Sequence, residues 1–532
     1  MQGKWTRLFW LTSLVTTLAG CGGGGSSSTT PPPRTLSGTI TYDKVFPTAS
    51  GLDYANTARW PTRGVRVELL DSATSAVITT GFTDSLGHYA FTWPGTGARM
   101  VKVRIKAATA TPVIRVQDNT NGGALWASDS PPFDSDTGSV MSLNVPSGWD
   151  GASYTGVRSA APFAVLDAAY AAAHAFLAER AVMFPDLTIN WSPNNRPEPG
   201  DLALGQIVTS HWRNSLSQLF ILGKEDVDTD EYDSHIIAHE WGHYFESKLS
   251  RSDSPGNSHR AGDRKDPRLA WGEGWANAFG AIVFYPNTVY TDTSGLQQTF
   301  VGLAFNLEDN TDSDPNPGWF SEMSVAHVFH DLWDPASGAE PFDSMSLPLG
   351  AIYDVMVGPQ KATPAFTTLF SFIDALKIAN PASAAAIDTL LAYRGIASPV
   401  TDPAGSGETH DGGLVGVLPV YNELIINAPQ TPLTFTSVGV TQDLVLNELG
   451  SNRFAAFVGG GSAVTVSAAT SGPDVLVQVF QSGQGIALAG GTPAAATNSI
   501  PTTAGVIYTV VVSSSDATPG NVFPGAIRVT SP

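Results

Sequence analysis

Cysteine is almost missing from this chain of 532 residues: Cys21 is the only one, so no internal disulfide can brace the fold. Basic residues are short as well, 28 Lys and Arg against 48 Asp and Glu, for a formal net charge of −20. That balance argues against nucleic acid as a partner and for solubility outside the cytoplasm. No apolar run is long enough to span a bilayer comfortably; the longest at the start of the chain runs only from Leu8 to Ala19. Beyond Leu414 charge itself becomes scarce, with Arg453 and Arg528 the only basic residues. Neither β-patterned end of the chain shows an internal repeat.

What is present begins with Lys4 and Arg7 ahead of the Leu8–Ala19 run, the pattern of a signal peptide over residues 1–20. Its removal would take away two positive charges and make the chain more acidic still. Leu18-Ala19-Gly20-Cys21 resembles the lipobox of bacterial lipoproteins. The resemblance implies lipidation of Cys21 and a membrane anchor, and Gly22 in place of Asp favours the outer membrane. A Gly/Ser/Thr/Pro stretch follows, so residues 21–34 read as a flexible tether.

The chemistry concentrates in His239-Glu240-Trp241-Gly242-His243. Residues four apart share a helix face, about 6 Å apart along the axis. His239 and His243 can therefore aim two imidazoles at one ion, with Glu240 beside them to take a proton from an activated water. This is the H-E-x-x-H arrangement of zinc hydrolases. Apolar residues from Tyr232 to Leu249 predict a buried helix, and Asp228, Asp230, Glu231 and Asp233 complement its N-terminus. The acidic run Glu225–Asp233 makes calcium a candidate, but no spacing matches a known calcium loop, and a solvated helix start is the preferred reading.

A catalytic zinc needs a third protein ligand. Downstream positions that carry Gly and His in one H-E-x-x-H class hold Glu246 and Leu249 here. His235 lies eight positions from His243, about 12 Å of helical rise, too far for one ion. Glu273 remains; it opens a second apolar helical run, while Glu246 is expected to face elsewhere. Asn277, one turn beyond Glu273, is placed to accept a hydrogen bond from a zinc-bound imidazole.

H-E-x-x-H followed by a downstream Glu resembles the thermolysin-like gluzincins, and Gly272-Glu273-Gly274-Trp275 resembles more narrowly their fungalysin branch. Ser321-Glu322-Met323-Ser324 is weakly similar to that branch's next helix. The resemblance covers roughly residues 230–335 and implies one zinc ion and a peptide or protein substrate. Two departures stand out: Asn277 replaces Asp, and Gly318 falls where a transition-state-stabilising His is expected. His327 and His330, on a helix from Met323 to Trp333, are weak candidates for that oxyanion role.

The remaining chain sets the architecture. Val65, Val67 and Leu69, and later Val101, Val103 and Ile105, alternate with polar residues and predict half-buried strands. With Thr83–Phe91 and Gly38-Thr39-Ile40, residues 35–148 resemble the transthyretin-like regulatory domain of carboxypeptidases, a β-sandwich. Residues 149–400 carry helical content and form the α+β zincin-like catalytic domain that the resemblance implies, with Gln218–Leu222 as the expected edge strand for substrate. Residues 401–413 read as linker and 414–532 as a second β-sandwich, similar to domains appended to secreted bacterial peptidases. The expected activity is zinc metalloendopeptidase at the cell envelope. Two alternatives stay open: an adhesion or glycan-binding lipoprotein with a vestigial or structural zinc site, and a zinc hydrolase that does not cut peptides.

Overall fold

The computed structural model describes residues 32–532 apart from 97–98, 261, 297–301, 309–313, 336–339, 341, 398, 438–446, 473 and 517. Cys21, the signal peptide and most of the tether lie outside the described residues. The molecule is β-rich, with several sheets and a helical middle, and multidomain. No helix among the described residues is long and apolar enough to cross a membrane.

Two sheets face each other at the N-terminal end. One is built around the long strand Arg34–Thr48, which pairs with Gly51–Pro61, His88–Trp93 and Leu143–Val145. The other carries Val77–Phe82, Val65–Asp71 and Met100–Thr109. Period two is plain in that last strand: Val101, Val103, Ile105 and Ala107 are buried, while Lys102, Arg104 and Lys106 lie between them and reach Asp129 and Glu68.

This second sheet does not stop at residue 148. Ile114–Asp118 pairs in parallel with Leu187–Trp191, which pairs in parallel with Gln218–Ile221, and the sheet ends at His211–Arg213. All five residues of Leu187–Trp191 are buried, as a strand covered on both faces requires. The sandwich and the helical middle thus share one sheet. The terminal strand is His211–Arg213, not Gln218–Leu222 as the sequence suggested. Its three polar-to-aromatic residues carry no alternation by which to recognise it.

Among the described residues there are seven α-helices: α1 (Ala161–Leu177), α2 (Ser234–Lys248), α3 (Pro267–Phe284), α4 (Glu322–Trp333), α5 (Leu349–Val355), α6 (Leu369–Ala379) and α7 (Ala384–Tyr393). Small residues set how closely the central three approach. A Cβ on Gly242 of α2 would lie 3.2 Å from the Ala276 backbone of α3, and one on Gly274 would lie 2.5 Å from Val325 Cβ of α4. Around them Phe176 stacks on Phe245 and Phe279 at 4.7 and 5.1 Å. Gly242 and Gly274 therefore let the three helices approach closely enough to bring Glu273 under α2.

The C-terminal end is a five-stranded sheet facing a four-stranded one, with its own apolar core. It is fastened to the start of α3. Asp266 caps α3, pairs with Arg268 at 2.8 Å and accepts from Asn452 at 2.6 Å, while the Arg268 guanidinium lies over Phe366 and Phe454.

Candidate metal centre and cleft

Helix α2 directs His239 and His243 to one side, and α3 brings Glu273 opposite them. The two imidazole Nε2 atoms are 3.0 Å apart, and Glu273 Oε2 is 3.2 Å from each. Four ligands at zinc distances of about 2.0–2.1 Å would be separated by about 3.3 Å at the corners of a tetrahedron. The three donors already sit at that spacing.

The outer nitrogens are occupied. His239 Nδ1 is 2.9 Å from Asn277 Oδ1, so the ring donates its proton there and turns a lone pair inward at Nε2. His243 Nδ1 faces Glu246 Oε2 at 4.0 Å. Glu246 thus stands behind His243 rather than facing away, as the sequence had suggested; it is buried, and burial holds its carboxyl above the usual range. Three inward-facing polar atoms within 3.2 Å of one another must share either a proton or a cation. Burial would keep a charge off His243, but the Glu273 carboxylate overrides it and holds the imidazole protonated well above its ordinary range. Burial would likewise raise Glu273, and the facing imidazoles reverse that. The donor set fits a divalent ion that takes N and O ligands.

Glu240 stands beside this trio. Its Oε1 is 3.9 Å from His239 Nε2, and its Oε2 accepts the backbone N–H of Trp212 at 2.7 Å. The terminal strand of the long sheet therefore fixes the orientation of the carboxylate. All four residues open onto a cleft of about 1020 Å³, lined also by His211, Trp212, Tyr290 and Phe305.

One cleft residue escaped the sequence reading. His259 lies in the loop between α2 and α3, with Nδ1 2.6 Å from Glu322 Oε2 and Nε2 3.4 Å from Glu273 Oε2. Burial opposes its charge, yet the two carboxylates push it up to about 9. No local pattern marks it, because a histidine in a Ser/Gly-rich loop is placed only by the tertiary fold; Glu322, the first residue of α4, was the one nearby signal.

His327 and His330 are not at the cleft. His327 Nδ1 meets the Leu307 carbonyl at 3.2 Å, and His330 is buried at the far end of α4. Weak candidates for the oxyanion role in the sequence, both are set away from the cleft by that geometry. The acidic run also takes a different form from a solvated helix start: Asp228, Asp230 and Asp292 bring carboxylate oxygens within 4.8 Å of one another. Asp230 and Asp233 are buried, and burial raises Asp233 to about 7.

Comparison with known proteins agrees in part. Residues 179–371 match the family model of the mycolysin C-terminal domain. That segment holds His239, Glu240, His243, His259, Glu273 and Glu322, and the match points to a relation with thermolysin-like metallopeptidases. No curated protein matches the chain. Among solved structures, it is similar to a 9R-lipoxygenase from Cyanothece PCC8801, with 10% identity over 30% of this chain and 26% of that one at a TM-score of 0.15. It is also similar to a cycloisomaltooligosaccharide glucanotransferase from Paenibacillus sp. complexed with cycloisomaltoheptaose, with 9% identity over 93% of this chain and 72% of that one at a TM-score of 0.12. The chain spans about a quarter of the lipoxygenase, and TM-scores this low carry no argument.

Proposed function

We propose that the protein is a zinc-dependent metalloendopeptidase of the thermolysin-like kind, with a zincin-like central domain, anchored at the cell envelope through Cys21. The observation that carries this reading is the convergence of His239 Nε2, His243 Nε2 and Glu273 Oε2 at 3.0–3.2 Å beside Glu240. His239, His243 and Glu273 would hold the ion. Zinc, when bound, supplies Lewis acidity to a carbonyl and makes a water acidic near neutral pH.

The chain's own residues do the rest. Glu240, held by the Trp212 N–H, accepts the proton of the attacking water and returns it to the departing amine. Asn277 and Glu246 keep the two imidazoles turned inward. His259, braced by Glu322, presents Nε2–H to the oxygen on which charge develops. This fills the role left open by Gly318. An extended peptide adds to the free edge of His211–Arg213 by strand pairing, which lays its backbone along the cleft.

Metal analysis with a general protease assay on the soluble Ser26–Pro532 fragment tests the reading. The expected result is a zinc ion lost in His239→Ala, with casein cleavage abolished by chelation and restored by zinc. A zinc-loaded protein that cuts no casein-type substrate removes the peptidase assignment and favours the adhesion or non-peptidase alternatives. Release of a Cys21→Ser protein from membranes tests the anchor.

A further inference from the structure

Helix α4 has a second cluster at its opposite end. Its N-terminal Glu322 serves the cleft, whereas His330 and the C-cap Asp334 lie eight or more positions on, at least about 12 Å along the axis. There Glu308, two residues past the strand Leu303–Asn306, brings a carboxylate oxygen within 4.8 Å of donor atoms of both His330 and Asp334. Asp334, Glu340 and Asp343 form a second triple with the same closeness.

His330 is what separates this from an ordinary acidic patch. It is 0% exposed, and neither ring nitrogen has a hydrogen-bond partner among the described residues. Every imidazole carries at least one N–H or lone pair that needs a partner, and each buried polar atom left without one costs about 1–3 kcal/mol. Asp334 Oδ1, Asp343 Oδ2 and Glu308 Oε2 are buried and unpartnered too. The nearby Arg394 is engaged with Asp331 at 3.0 Å. Clustered carboxylates away from water must take up protons or a cation, and the carbonyl end of a helix favours a cation.

We propose that Glu308, His330 and Asp334, with Asp343 alongside, hold a second divalent metal ion, structural rather than catalytic. An imidazole among carboxylates suits a first-row transition ion such as Zn²⁺ or Mn²⁺, whereas Ca²⁺ takes oxygen alone. The ion ties the end of α4 and Asp343 to the strand Leu303–Asn306. Leu303 and Phe305 of that strand wall the cleft, so the ion stiffens one side of the substrate groove.

The test uses the mature chain carrying His239→Ala, which disables the first centre, dialysed against chelator and titrated with Zn²⁺ and with Mn²⁺. One equivalent is expected to bind and to raise the melting temperature. Adding Glu308→Gln or His330→Asn should weaken that binding by more than about tenfold, the scale seen even for groups behind the ligands. Should His330→Asn fail to fold, Glu308→Gln, at the partly exposed rim, decides the matter. Failure of the His239→Ala protein to bind either ion, or binding that Glu308→Gln leaves unchanged, overturns the proposal. Neither outcome bears on the cleft centre, which is already disabled in this protein.

Discussion

Among single residues, several at the cleft act through their neighbours. His259 reaches the cleft from a loop, and its imidazole is held by Glu322 at 2.6 Å. His259→Ala is expected to lower kcat by roughly 10²–10³, the size of one lost oxyanion donor, with KM and zinc content little changed. Steady-state kinetics with metal analysis checks this, and a loss of zinc in parallel with activity would make His259 a support of the metal instead. The pair His239–His243 was readable from sequence because four residues make one helical turn. Glu273 was reachable only through the apolar run that follows it and through family resemblance, since thirty positions separate it from His243. His259 and the placement of Glu246 behind His243 were not readable. Both depend on where α3 and α4 lie, and no local period encodes that.

At the scale of elements, the approach of α3 to α4 is set by the absence of a side chain. A methyl at Gly274 would meet Val325 Cβ at 2.5 Å and the Glu322 carbonyl oxygen at 2.7 Å. One of these is backbone, so the helices must part. Gly274→Ala is expected to destabilise the fold by about 1–3 kcal/mol in urea unfolding and to reduce activity by displacing Glu273. Helix α2 carries a pH signature of its own. His235 is buried, its Nε2–H donates to the Asn287 carbonyl at 2.9 Å, and burial pulls it down to about 4. Between pH 6.5 and about 4 the unfolded chain binds a proton there that the folded chain refuses. Stability therefore falls as pH falls through this window, by on the order of 3 kcal/mol in all. Unfolding of His235→Gln, which keeps a donor without the titration, should show a flatter dependence there; an unchanged slope would assign the acid sensitivity to other groups.

At the scale of the molecule, the long sheet joins what the sequence divides at residue 148. The half-buried strands were legible from period two, whereas Leu187–Trp191, buried along its whole length, carries no such alternation. Its parallel pairing with Ile114–Asp118 was not legible, because that contact spans about seventy residues and leaves no mark on either segment. The consequence is testable by truncation. A chain beginning at residue 149 would bare the edge of a fully buried strand, so it should aggregate or lose cooperative unfolding. A soluble, cooperatively unfolding 149–532 fragment would show that the helical middle stands without the sandwich.

The proposed mechanism stands on Glu240 as the proton-transfer group beside a metal held by His239, His243 and Glu273. Its most direct test is casein hydrolysis by Glu240→Gln compared with the unaltered protein at equal, measured zinc content. The substitution keeps the shape and leaves an acceptor for the Trp212 N–H, so fold and zinc should be retained. Hydrolysis is expected to fall by 10²–10⁴-fold or more, roughly what a general base contributes. Near-normal hydrolysis by a zinc-loaded Glu240→Gln protein would contradict the account.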